Sequence, residues 1–151
     1  MAPETPQSIH FYGVSDAFGE FSNFAPDPIQ VGGKRWPTSE HYFQAQKFED
    51  EAYCEKIRQA KSPMIAARLG RNRKEPLRRD WESVKIGIMR AAVLAKFSQH
   101  PELRKRLLSN ENAKLVERTE NDDYWGDSGD ASGQNMLGRI LMRVRKHLQR
   151  E

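Results

Sequence analysis

The stretch that most constrains this fold is residues 36–48, which read WPTSEHYFQAQKF. Pro37 lacks the backbone N–H that a helix interior requires, and it biases Trp36 toward an extended conformation. A helix can therefore begin only at or after Thr38, and Thr38 or Ser39 is suited to cap it. Because the segment is rich in aromatic side chains, we expect most of this helix to be buried.

One face of the predicted helix carries an acid, an amide and an amine. At 100° per residue, Gln44 and Lys47 each fall within about 40° of Glu40. Glu40 and Lys47 lie roughly 10 Å apart along the axis. Polar residues on a helix ordinarily face water. Here Phe43 and Phe48 leave only a narrow exposed sector, which favours an acid and a lysine that face a cleft.

A chain of 151 residues with 37% hydrophobic and 30% charged residues has the size and polarity of one globular domain. We expect residues 9–151 to form this domain and residues 1–8 to form a flexible tail, since the latter contain neither the basic patch nor the apolar run of a secretory signal. No segment approaches the roughly 18 consecutive apolar residues that span a bilayer. These features predict no membrane partner and a cytoplasmic location.

The cysteine and histidine content argues against a metal centre. Cys54 is the single cysteine, so it can form neither an internal disulfide nor a conventional structural zinc site. The four histidines show no metal-binding spacing. We therefore predict no metal and no cofactor.

The net charge of +4 is unevenly distributed. A basic window at residues 68–79 holds a single acid, Glu75, and six cationic residues: Arg68, Arg71, Arg73, Lys74, Arg78 and Arg79. This composition is typical of a solvated loop and equally of a site for a phosphate group or a nucleic-acid backbone. The sequence leaves both interpretations open.

Helical periodicity predicts five helices besides the one after Pro37. They span residues 52–60, 62–70, 81–99, a stretch that begins at Pro101, and 135–149. We expect Asp80 to cap the longest of them. Its core face is predicted to comprise Val84, Ile88, Ala91, Ala92 and Ala95.

Short strands are predicted at residues 8–13 and 114–119, and a hairpin is predicted at residues 28–36 with its turn at Gly32 and Gly33. Few strands among several helices indicate an α+β domain that is mostly helical, with a small β element.

Two segments combine large apolar residues with polar ones. Phe21 and Phe24 are expected to anchor one segment in the core, which leaves Glu20 and Asn23 to line a pocket. Farther along, a loop rich in Asp, Gly and Ser holds Trp125 beside a tyrosine. A solvent loop rarely exposes two large aromatic residues together, so this pair either plugs the core or stacks on a ligand.

Taken in order, these motifs closely resemble the NADAR, or YbiA-like, family. The matching motifs are GEFSNF at residues 19–24, WPTSEHYFQAQKF at 36–48, DW at 80–81, YWGD at 124–127 and NMLG at 135–138. The resemblance covers about residues 10–149 and implies a single compact YbiA-like domain.

The resemblance implies an N-glycosidase that cleaves the bond between a ribose and a base. Two substrate classes are known in the family: ribosylamino-pyrimidine phosphates that are early riboflavin intermediates, and ADP-ribose attached to guanine in nucleic acid. The expected partner is therefore a small phosphorylated ribosyl or ADP-ribosyl substrate, or ADP-ribosylated DNA or RNA. The identity of the leaving base stays open.

Carried over position by position, Glu40, Lys47 and Asp127 match catalytic or sugar-contacting positions of the family, and Glu20 matches a further acid. These four residues are the predicted catalytic groups. Residues predicted to bind the substrate are Asn23, Trp36, Gln44, Arg71, Trp81, Trp125 and Asn135.

The residue types suit this chemistry. Breaking a C–N glycosidic bond requires protonation of the leaving base and stabilisation of positive charge at the ribose C1, for which paired carboxylates are apt. A lysine offers a second route, because a buried amine such as Lys47 can attack C1 and open the sugar to a Schiff base that water resolves. The aromatic loop would stack the base, and the basic window would hold a phosphate.

Two alternatives come from other functional classes. A non-catalytic module that binds ADP-ribose or NAD would need the pocket aromatics and arginines but not Lys47. A nucleic-acid-binding protein would use the basic window alone.

Overall fold

The computed structural model describes residues 7–151. Of the tail predicted at residues 1–8, positions 1–6 lie outside the described residues, and Ser8 begins the first strand. The elements in chain order are β1 (Ser8–Phe11), a 3₁₀ turn (Gly19–Phe21), β2 (Ile29–Val31), β3 (Lys34–Trp36), α1 (Ser39–Ala45), α2 (Glu51–Arg58), α3 (Pro63–Gly70), α4 (Trp81–Gln99), α5 (Pro101–Ser109), β4 (Lys114–Glu117) and α6 (Met136–Gln149). The predicted α+β class, mostly helical with a small β element, is confirmed.

Backbone contacts divide the described chain into two compact units. The central unit is Pro26–Gln99, and the terminal unit joins residues 7–25 to His100–Glu151. No helix within residues 7–151 is both long and apolar enough to cross a membrane.

The central unit begins with the predicted hairpin, in which Ile29 pairs with Trp36 and Val31 pairs with Lys34. Its two turn glycines have φ angles of 63° and 77°, values that residues with a side chain rarely adopt. A cluster of buried residues packs together in this unit: Ile29, Trp36, Ala45, Phe48, Tyr53, Ile57, Ala66 and Ala92. The hairpin is thereby joined to α1, α2, α3 and α4.

Helix α1 starts where predicted but ends earlier. Thr38 is its N-cap, and Oγ1 of Thr38 accepts a hydrogen bond from His41 N at 3.1 Å. The helix stops at Ala45, so the prediction that Lys47 belongs to it is wrong. Instead, Lys47 lies in a turn closed by a hydrogen bond from its backbone N to Gln44 O at 3.3 Å, the tighter pattern common at helix ends.

The buried face of α4 also differs from the predicted one. Ala92 is buried as predicted, whereas Ala91 is exposed. The buried residues are Trp81, Met89, Ala92, Val93, Lys96 and Phe97. Lys96 belongs to this stripe and lies 3.8 Å from Asp27, measured from Nζ to Oδ2. Lysines are rarely buried, so a prediction from apolar residues alone left Lys96 out. The predicted core face was therefore shifted by one residue toward the N-terminus of the helix.

In the terminal unit, β1 and β4 pair in parallel, from Ser8 opposite Lys114 to Phe11 opposite Glu117. Helix α6 packs against β4. Its apolar face is buried throughout, at Leu137, Ile140, Leu141, Val144 and Leu148. Arg145 is buried as well, and its Nη1 donates a hydrogen bond to Asn110 Oδ1 at 2.6 Å.

Two isoleucines test the packing of the central unit. Ile57 is 0% exposed and Ile65 is 37% exposed. We expect Ile57→Ala to lower the free energy of unfolding by about 2–5 kcal/mol, because it leaves a cavity in the core. The matched control Ile65→Ala should cost less than about 1 kcal/mol. Urea denaturation followed by circular dichroism measures both values, and equal losses would contradict the described core.

Candidate active site

The predicted site residues fall into two groups. The central unit contains Trp36, Glu40, Gln44, Lys47, Arg71 and Trp81, and the terminal unit contains Glu20, Asn23, Trp125, Asp127 and Asn135. The central group includes the acid, the amide and the amine that the sequence placed on one helix face.

Glu40 and Gln44 are joined by a buried hydrogen bond. Glu40 lies in the first turn of α1 and is 9% exposed, and Gln44 is 7% exposed. Gln44 Nε2 donates to Glu40 Oε1 at 2.7 Å. Residues four apart on a helix lie on the same side, so this pair follows from the sequence spacing. The bond orients the carboxylate.

The Lys47 amine lies against two aromatic rings. Its Nζ is 5.7 Å from the ring centroid of Phe43 and 5.9 Å from that of Trp81. The two rings are in tilted contact, with centroids 5.2 Å apart. The carbonyl oxygen of Lys47 accepts a hydrogen bond from Arg78 N at 2.8 Å. Both the backbone and the amine of this lysine therefore have defined neighbours.

This environment changes the acidity of the amine. Burial lowers the pKa of Lys47 from 10.5 to about 8; the negative charge of Glu40 opposes the shift, and the positive charges of Arg73, Arg71 and Lys85 add to it. With this pKa, about a tenth of the amine is neutral at pH 7, against less than about a thousandth for an unperturbed lysine. The neutral form is the one that can act as a nucleophile.

Two arginines of the basic window, Arg73 and Arg78, donate hydrogen bonds within the protein. The Asp80 carboxylate, predicted to cap α4, accepts hydrogen bonds from Arg78 Nε at 2.6 Å and Nη2 at 3.1 Å. Arg73 Nη1 donates to Gly70 O at 3.0 Å. Arg71 and Arg73 are exposed, and their charges reach Lys47. Both sequence interpretations of the basic window, a solvated loop and a phosphate site, therefore stay open for these two arginines.

The two tryptophans of the central group have different surroundings. Trp36 is 5% exposed, its Nε1 donates to Val31 O at 3.1 Å, and its ring meets Tyr42 edge-on at 5.4 Å. Its one polar atom is thus used within the hairpin. Trp81 is 7% exposed and lies beside the Lys47 amine.

In the terminal unit, Asp127 holds its own loop together. It is 1% exposed. Its Oδ1 accepts hydrogen bonds from Gly129 N at 2.8 Å and Thr119 N at 3.3 Å, and its Oδ2 lies 2.6 Å from Arg118 Nε. Burial alone would raise the pKa of Asp127, but the two backbone N–H groups and the Arg118 guanidinium outweigh it and hold the pKa below its usual value. The carboxylate is therefore ionised at neutral pH.

The remaining candidates of this unit lie in varied settings. Glu20 Oε1 is 3.2 Å from Arg106 Nη1. Asn23 is 7% exposed. Trp125 is half-buried and meets Tyr124 edge-on, with ring centroids 4.9 Å apart. The aromatic pair is thus partly packed within the protein, which leaves the two sequence interpretations of this loop open.

Asn135 joins β4 to the start of α6. Its Oδ1 accepts from Glu117 N, and its Nδ2 donates to Leu115 O, both at 2.9 Å. Asn135 and Asp127 both line a cavity of about 330 Å³. Its basic lining residues are His10, Lys114, Arg118 and Arg139.

No group of three or more His, Cys, Asp or Glu side chains within residues 7–151 is arranged to hold a metal ion.

Two cations that act on the candidate catalytic residues were not predicted from the sequence. Lys85 affects Lys47, and its place four residues after Trp81 on α4 was an available signal, since such residues share a helix side. Arg118 pairs with Asp127 across a loop of irregular structure, where no periodicity could indicate the contact.

The chain is similar to several curated protein sequences over nearly its whole length. It is 62% identical over 140 residues to the N-glycosidase YbiA of Escherichia coli strain K12, which covers 93% of this chain and 88% of that protein. It is 44% identical over 145 residues to an N-glycosidase of Nostoc punctiforme, covering 94% and 93%. It is also 43% identical over 143 residues to a riboflavin biosynthesis protein of Vibrio vulnificus, covering 95% of this chain and 39% of that protein.

The fold is similar to a solved structure. The NMR structure of Escherichia coli YbiA superposes with a TM-score of 0.88 at 60% sequence identity, covering 95% of this chain and 86% of that one. The NADAR domain family matches residues 10–149, the range over which the motifs resembled it. The chain therefore belongs to the NADAR domain family.

Proposed function

We propose that this protein hydrolyses the N-glycosidic bond between a base and a phosphorylated ribose, with Lys47 as nucleophile and Glu40 as proton donor. The observation that carries the proposal is the setting of Lys47: an amine with a pKa of about 8 beside two aromatic rings, following the helix that bears the buried Glu40. The activity class agrees with the names of the relatives at 62% and 44% identity, which are N-glycosidases.

The proposed reaction balances without a cofactor. The neutral Lys47 amine attacks the ribose C1 as the C1–N bond breaks, and the bonding electrons pass to the base. The ionised Glu40 takes one proton from the lysine nitrogen, which becomes cationic on attack, and passes it to the base. The C1–O4 bond then breaks as a C1=N Schiff base forms, and O4 takes the proton that the lysine nitrogen gives up. Water adds to C1, and the lysine nitrogen leaves with its electron pair and takes up both protons of that water, while the water oxygen stays on C1 as the aldehyde of the open sugar. The net reaction consumes one water.

Arg71 is the proposed phosphate ligand. It is exposed, and together with Arg73 it places positive charge near the Lys47 amine. A guanidinium binds a phosphate through paired hydrogen bonds. Trp81 would offer an aromatic surface next to the sugar or base.

Two substrate classes fit this proposal, and the name of one relative bears on the first of them. A ribosylamino-pyrimidine phosphate is favoured by the Vibrio vulnificus relative, whose name places it in riboflavin biosynthesis. ADP-ribose attached to guanine is the second class, since it presents the same C1–N bond together with two phosphates. A non-catalytic ADP-ribose or NAD module would have no use for a lysine of lowered pKa.

Product analysis tests the activity and the substrate class together. The protein is incubated with a ribosylamino-pyrimidine phosphate or with ADP-ribosylated guanine DNA, and released ribose 5-phosphate or ADP-ribose is quantified. We expect Lys47→Met and Glu40→Gln to lower turnover by at least about a thousandfold, with unchanged circular dichroism. Lys56→Met, at an exposed position of α2, serves as the matched control. Near-normal turnover by either site variant would refute the mechanism.

A second experiment tests the covalent step and its pH dependence. Because the neutral amine attacks, kcat should rise through a midpoint near pH 8, the pKa of about 8 of Lys47, and reach about ten times its pH 7 value on the plateau. Borohydride added during turnover should trap a sugar on the peptide that contains Lys47. Turnover without an adduct, with a profile flat from pH 6.5 to 9, would indicate direct attack by water.

A further inference from the structure

The Gln44 side chain is confined between Glu40 and the last residue of α3. Its Nε2 donates to Glu40 Oε1 at 2.7 Å. Its Oε1 is buried without a hydrogen-bond partner. A Cβ added to Gly70 would lie 1.9 Å from that Oε1, 2.7 Å from Cδ and 3.2 Å from Cβ of Gln44. The amide therefore lies directly over the Gly70 backbone, where no other residue type leaves room.

Backbone conformation does not explain a glycine at this position. Gly70 lies within α3 and is not among the residues of positive φ, so alanine could adopt the same backbone. Glycine in a helix is less stable than alanine, because its backbone loses more conformational freedom on folding. The steric requirement of Gln44 is the physical reason that remains.

The amide can take only one orientation while Glu40 is ionised. Rotating it by 180° would point Oε1 at the carboxylate and the NH₂ group at Gly70, placing two acceptors together. In the observed orientation the buried amide oxygen is unsatisfied, which is unfavourable. That cost is tolerated because the donor then faces Glu40.

Gln44 also connects Glu40 to Lys47 through its backbone. Its carbonyl oxygen accepts the hydrogen bond from Lys47 N at 3.3 Å that closes the turn after α1. One residue thus holds the carboxylate by its side chain and the turn of the lysine by its main chain.

From this geometry we infer that Gln44 and Gly70 are positioning residues, and that the space left by Gly70 lets the Gln44 amide orient Glu40 for proton transfer. This role rests on the proposed function and replaces direct substrate contact as the role of Gln44. Glycine at position 70 is then required for turnover rather than for folding.

The test is a double-mutant cycle between the two positions. Gly70→Ala should lower kcat at least tenfold in the native background, with KM changed less than about twofold. The Gln44→Ser background lacks both atoms of residue 44 that lie under 3 Å from the added Cβ, and it also lacks the amide donor. Gly70→Ala should therefore change kcat less than twofold in that background.

A matched glycine controls for helix effects. Gly87 lies within α4, and a Cβ added there meets nothing within 4 Å. Gly87→Ala should leave kcat, KM and the pH profile unchanged. Equal losses of kcat from Gly70→Ala in both backgrounds would overturn the inference, as would a rise in KM with kcat unchanged.

An NMR titration gives a readout that does not depend on activity. The side-chain amide signals of Gln44 should shift as Glu40 titrates in the native protein, and the shift should disappear in Glu40→Gln and in Gly70→Ala. Absence of the shift in the native protein would overturn the inference even if Gly70→Ala did not fold. If the shift were clear but the protein were inactive on both substrate classes, the contact between Gln44 and Glu40 would be supported and the proposed function would be refuted.

Discussion

Burial of the Lys47 amine is the constraint on which the rest of the candidate site depends. A charged ammonium loses hydration when it lies against Phe43 and Trp81, and this loss is the largest cause of its lowered pKa. The setting requires α1 to stop at Ala45, so that the lysine leaves the helix and its carbonyl can accept from Arg78 N. The end of the helix is thus as important to the chemistry as its polar face.

Some of the polar candidate residues already have hydrogen-bond or ion-pair partners that hold the fold together. Asp127 receives two backbone N–H groups and one guanidinium, and Asn135 uses both ends of its amide to join β4 to α6. Such residues fix the shape of a loop whatever else they do. Residue type alone cannot distinguish a structural role from a catalytic one, because both roles require a carboxylate or an amide in a defined place. The partners of each atom provide the distinction.

Local sequence rules predicted the features that depend on neighbours along the chain. The N-cap at Thr38, the helix opened by Ser62 and Pro63, and the glycine turn of the hairpin depend on a few adjacent residues. The parallel pairing of β1 with β4 joins segments about a hundred residues apart, so no local rule could predict it.

Two failures of the sequence analysis have a common physical origin. The buried face of α4 was misplaced because it contains Lys96, and the end of α1 was misplaced because the turn at Lys47 is held by Arg78 from a distant loop. In both cases a tertiary contact overrides the local helical pattern. The spacing of Glu40 and Gln44 was correct because a single helix carries both residues.

The acidity of Lys47 is a balance of opposing charges, and this affects how substitutions at the site must be interpreted. Glu40 raises the pKa of Lys47, while Arg73, Arg71 and Lys85 lower it. Removing the Glu40 charge therefore takes away a proton donor and at the same time increases the neutral fraction of the amine near pH 7. The second effect favours attack on the sugar, so it partly offsets the first. For this reason the loss in a Glu40 variant at pH 7 understates the contribution of the carboxylate, and a comparison on the alkaline plateau isolates it.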